Sequence, residues 1–118
     1  MDSKEITLLK SSWSVLLLKL NELFKSDLDL QGVLFLIGVQ ELGKGYQNFS
    51  KAQKGDLMHI ATCKLLSQYG YYALKGVDDD GWPHWELMQA LPSLSLREQD
   101  LLLKQAAIDY FKTEVFGQ

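Results

Sequence analysis

The residues of this chain that helix packing leaves unexplained gather in one stretch, Gly70–Glu86, GYYALKGVDDDGWPHWE. It holds Tyr71, Tyr72, Trp82 and Trp85, three consecutive aspartates, and His84, one of only two histidines. Rings supply rigid contact area and polar tips supply direction, so the mixture suits a ligand or partner surface. Tyr71, Tyr72, Asp80, Trp82, His84, Trp85 and Glu86 are the candidate site residues. Two uses are open to them. The rings close over the helices as a small secondary core, or at least one ring joins His84 and Glu86 in lining a cleft or a dimer seam.

Other groupings also carry residue types that could do chemistry. Asp78-Asp79-Asp80-Gly81 clusters oxygen ligands before a glycine, as calcium loops do. Aligned on that glycine, however, the first ligand position falls on Gly76 and the last on Leu87, so a solvated turn is the expectation. Asp56 and His59 stand three apart on one helix face, as in carboxylate-bridged di-iron bundles, but the second such pair and the further glutamates are missing. His59 and Cys63 are four apart, a spacing that could activate a thiol; a lone helical cysteine more often serves as a small buried hydrophobe. Glu41 lies on an otherwise apolar helix, where a carboxylate must be paired, protonated or set at the rim. The rim is the expectation.

The elements that must position these groups are helices. Leu9, Trp13, Leu16, Leu20 and Leu23 recur at spacings of three and four, which predicts a helix from Lys4 to about Lys25, capped by Asp2 or Ser3. Leu8, Val15 and Leu18 widen its apolar arc, so this helix should touch two partners, one of them possible as a second subunit. Leu30–Leu42 is apolar almost all round and reads as the central helix, its Gly32 and Gly38 permitting close approach by a neighbour. Ser50-Lys51-Ala52-Gln53 has the form of a capping box and starts a third helix to about Tyr69, with Leu57 or Met58, Ala61, Leu65 and Tyr69 inward and Lys51, Lys54, Lys64 and Gln68 in water. Ser95-Leu96-Arg97-Glu98 repeats the box and opens a last helix to about Val115 along Leu101, Ala107, Ile108, Phe111 and Val115.

The connection from residue 70 to 94 is too long to be structureless. Tyr71–Val77 and Trp82–Leu87 are prone to strand and flank the Asp-Gly turn signal, which predicts a short β-hairpin, with Pro83 restricting its strand to an edge. Alternation sends Trp82, His84 and Glu86 to one face and Pro83, Trp85 and Leu87 to the other. The expected fold is therefore mainly α, a single four-helix bundle-like domain over residues 1–118 with a hairpin inserted between the third and fourth helices.

The 118 residues suffice to bury a core without disulfide or metal. A net charge of −3 and no basic run argue against a nucleic-acid partner. The longest stretch free of formal charge, Leu30–Gln40, falls well short of the roughly 20 residues of a membrane span. A single cysteine and an N-terminus without a signal pattern make the cytoplasm the expected compartment. No cofactor is implied and no catalytic residue is assigned. The expected role is a non-enzymatic interaction or regulatory module, acting as a homodimer or on a protein partner through the aromatic hairpin and the surplus arc of the first helix. Truncating Trp82 or Trp85 should then weaken association more than it lowers the melting temperature. The rival is a small hydrolase or metal-dependent enzyme with His84, Glu86 and Asp78, Asp79 and Asp80 at its site, joined by His59 or Glu41. It requires the two histidines to converge.

Overall fold

A computed structural model describes residues 2–116 and is mainly α, with four helices and a two-stranded antiparallel hairpin between the third and fourth. The chain divides into two compact units, one made from the segments up to Leu30 and from Ser93 onward, the other Gln31–Pro92. Among the described residues no helix is long and apolar enough to cross a membrane.

In the first unit α1 spans Ser3–Phe24. Asp2 is its cap, its carboxylate accepting from the Glu5 N–H at 2.8 Å, and the helix ends where Lys25 turns left-handed at φ 50°. Leu9, Trp13, Leu16 and Leu20 are buried as the spacing predicts, but Leu23, counted with that stripe, is exposed. The flanking set Leu8, Val15 and Leu18 is exposed as well. Helix α4 spans Leu96–Tyr110 behind the expected capping box, with Leu101, Ala106, Ala107 and Tyr110 buried. It then loosens into a π-helical turn, Phe111–Val115, in which the Phe116 N–H reaches the Phe111 carbonyl at 2.8 Å. That turn puts Val115 out in solvent, against the sequence expectation.

In the second unit α2 spans Leu30–Leu42 and α3 spans Lys51–Ser67, the latter opened by the Ser50–Gln53 capping box. Gly38 is where the two helices touch. A Cβ there would stand 2.3 Å from the Leu57 carbonyl oxygen, a distance no side chain tolerates. Leu42, Phe49 and Leu57 form a buried cluster, and Phe35, Val39 and Trp82 pack against it. The inner face of α3 is Leu57, Ile60, Ala61, Cys63, Leu65 and Leu66. Tyr69, expected inward, lies past the helix end in the turn and is exposed, while Lys64, expected in water, is half-buried.

Strands β1, Tyr72–Val77, and β2, Pro83–Leu87, pair antiparallel with Tyr72 opposite Leu87 and Val77 opposite Pro83. A bulge between Leu74 and Gly76 gives β1 one extra residue, the usual way such a ribbon gains twist. Opposed residues share a face, so Tyr72, Leu74, Val77, Pro83, Trp85 and Leu87 make one side of the ribbon apolar, and Ala73, Gly76, His84 and Glu86 fall on the other. A lone hairpin is marginal in water. This one leans on α3, leaving Tyr72, Pro83 and Trp85 half-buried.

Candidate functional site

The exposed face of α3 and the tip of the hairpin enclose a cleft of about 280 Å³. Asp56, His59 and Ile60 line it from the helix, and Asp78, Trp82, Pro83 and His84 from the hairpin. The spacing of Asp56 and His59 presents both on one helical face, and the turn after β1 brings the second histidine to meet them.

Asp78 organises that turn. Its Oδ1 accepts from the N–H of Asp80 at 2.9 Å and of Trp82 at 3.0 Å. Its own N–H donates to the Trp82 carbonyl at 3.0 Å, and its carbonyl accepts from Gly81 at 2.9 Å. Gly81 sits at φ +86°, where glycine is favoured. Lys44 closes the outside of the turn, its ammonium donating to the Asp80 carbonyl. The remaining Asp78 oxygen, Oδ2, lies 2.8 Å from His84 Nε2. This contact to His84, then the backbone N–H of Trp82, holds the Asp78 carboxyl below its ordinary value of 3.8. Asp78 thus acts as a turn organiser whose second oxygen orients an imidazole. With Nε2 committed to Asp78, His84 retains Nδ1 as its other polar atom.

His59 approaches Cys63, Nε2 to Sγ 3.5 Å. Cys63 is fully buried, and that burial pushes its thiol up to about 11. The pair therefore lacks the thiolate that a nucleophilic dyad needs, and Cys63 behaves as a small core residue. Glu41, one residue from the end of α2, is half-buried with Lys64 Nζ at 3.9 Å. Among the described residues no three His, Cys, Asp or Glu side chains gather in a way that could hold a metal ion.

The candidates named from the sequence are thus distributed over several surroundings. Trp82 and His84 share the cleft. Trp82 also packs on the Leu42, Phe49 and Leu57 cluster, so it serves the secondary core as well as the opening. Tyr71 and Tyr72 are half-buried, and burial raises the Tyr72 phenol, with Cys63 adding to the effect. Trp85 is half-buried with its indole N–H shielded from water and lacking an acceptor. Asp80 and Glu86 are exposed and do not line the cleft. Ile60, Pro83 and Lys44 belong to the cleft or its turn without having been named for it. The helical spacing of Ile60 beside His59 was a usable signal; nothing local pointed to Lys44.

Comparison with known proteins finds no matching family model, no matching curated protein and no matching solved structure.

Proposed function

We propose that this chain is a small non-enzymatic interaction module and that its hairpin is the contact surface, engaging a second copy of the chain. One observation carries the reading. On the apolar side of the ribbon, Leu74, Val77 and Leu87 keep 53%, 62% and 51% of their surface exposed. A contiguous apolar strip in water marks an interaction site more often than a solvent face. The two-stranded sheet also leaves one backbone edge of each strand unpaired, a ready template for another strand. A two-fold axis beside such a strip lets the same leucines meet their own counterparts, as closed dimers require.

Amide spectra recorded from dilute to concentrated protein test this. Residues 72–77 and 83–88 are expected to shift or broaden with concentration while α1 and α4 stay still. Spectra that do not change with concentration would overturn the reading.

A hydrolase reading is favoured by one specific observation, the convergence of His59 and His84 on a single cleft with Asp56 and Asp78 beside them. In that reading Asp78 orients His84, and the imidazole draws a proton from water. Among the described residues no serine, threonine or ionised thiol lines the cleft as a nucleophile, which is why interaction is preferred. Cleavage of an activated ester that falls with both His59→Ala and His84→Ala would reverse that preference.

A further inference from the structure

A second cavity lies wholly within the first unit, between α1, α4 and the π-helical turn, with a volume of about 400 Å³. That is within the range of small-molecule sites. Val15 and Leu16 of α1, Ile108 of α4, and the rings of Phe111 and Phe116 give it apolar walls. The π-helical turn is what brings the two rings together. Bonding from residue 116 back to 111 stacks those positions on one side, with ring centroids 6.0 Å apart. Turns of this kind are rare and recur at functional sites.

The polar groups of the cavity are sorted by sign. Lys19 and Lys112 both line it, and Lys19 Nζ lies 4.4 Å from the centre of the Phe116 ring, held there by attraction to the ring face. Neither ammonium has a carboxylate partner among the described residues. Among the described residues no Asp or Glu lines the cavity; Ser11 and Ser12 supply the other polar atoms. On α1 the lining runs from Ser11 to Lys19, about 12 Å at the ordinary helical rise.

We infer that this cavity binds a medium-chain carboxylate, the hydrocarbon lying on Val15, Leu16, Ile108 and the two phenylalanine rings and the carboxylate meeting Lys19 and Lys112. The chain replaces water on the apolar walls, and the headgroup gains charge-assisted hydrogen bonds from two unpaired cations. A neutral alcohol of the same length keeps the first contribution and loses the second. A cationic amphiphile meets repulsion.

The test is calorimetric titration of the full chain with decanoate, decanol and decyltrimethylammonium, each below its micelle concentration, on wild type and on Lys19→Met/Lys112→Met. Methionine keeps much of the lysine stem and removes its charge, and both positions are exposed, so the fold should survive; far-ultraviolet circular dichroism checks this. Wild type is expected to bind decanoate about tenfold or more tighter than decanol, as two charge-assisted contacts imply, and the cation more weakly than either. The double variant is expected to lose the preference for decanoate while keeping weak binding of decanol. Absence of decanoate binding, equal binding of decanoate and decanol by wild type, or an undiminished preference in the double variant would each overturn the inference.

Discussion

His84 Nε2 lies 2.8 Å from Asp78 Oδ2, so a side chain on β2 closes onto the carboxylate whose other oxygen already holds the turn before it. Asp78→Asn keeps an oxygen for the backbone N–H groups of Asp80 and Trp82 but loses the charge that faces His84, whereas Asp78→Ala loses both. Amide hydrogen exchange at Asp80 and Trp82 is expected to quicken slightly in the first variant and much more in the second. The folded carboxyl titrates below 3.8, so its contribution is fully present above that value and is lost as pH falls through the lower, folded value. The Trp82 amide signal is expected to show a titration step beneath 3.8 in wild type that is absent in Asp78→Asn.

Gly38 and Gly55 should respond to the same substitution with opposite sign. Alanine at Gly38 drives a methyl group into the Leu57 backbone and is expected to cost about 1–3 kcal/mol as an overpacked contact. Gly55, in α3, has open space where its Cβ would go, and Gly55→Ala is expected to stabilise by roughly 0.5–1 kcal/mol through helix propensity and unfolded-chain entropy. Urea unfolding of the two variants checks both signs.

Cys63 should be silent toward thiol reagents in the native state at pH 8 and react fully once the chain is unfolded. Its thiol sits fully buried and titrates at about 11 instead of 9.0. The neutral thiol is favoured in the fold, so this contribution to stability is intact below pH 9 and disappears as pH rises toward 11. The loss from this group is on the order of 2 kcal/mol, read as a falling urea midpoint in wild type and a flatter profile in Cys63→Ala.

Trp82→Ala should lower stability by about 2 kcal/mol, the share of a full aromatic truncation expected for a half-buried ring, because Trp82 packs on the Leu42, Phe49 and Leu57 cluster. Trp85→Phe is expected to be nearly neutral, since it removes an indole N–H that is shielded from water without an acceptor. Thermal melts of the two variants separate the ring that closes the core from the ring that covers α3.

Periodicity and caps made most of this fold legible. Both capping boxes form as the spacing of Ser50 with Gln53 and of Ser95 with Glu98 requires, because such signals act within one helical turn. The bounds of α2 and the existence of the hairpin were equally local facts. What the chain order hid was long-range. Nothing near Lys44 says that its ammonium will close the turn at Asp80, and nothing near His59 says that His84 will share its cleft. The loosening of the last helix into a π-helical turn has no spacing signal either, so the helical spacing places Val115 inward while the structure exposes it. Leu23 and Tyr69 depart from their spacing for a simpler reason, since the stripe and the helix each end just short of them.

The central claim is that Leu74, Val77 and Leu87, the exposed apolar residues of the hairpin, join two copies of the chain. Sedimentation velocity across a wide concentration range, on wild type and on Leu74→Lys/Leu87→Lys, tests it most directly. Wild type is predicted to move from monomer toward dimer as concentration rises, while the variant stays monomeric with an unchanged melting curve. A wild-type chain that remains monomeric throughout, or a variant that associates as wild type does, would contradict it.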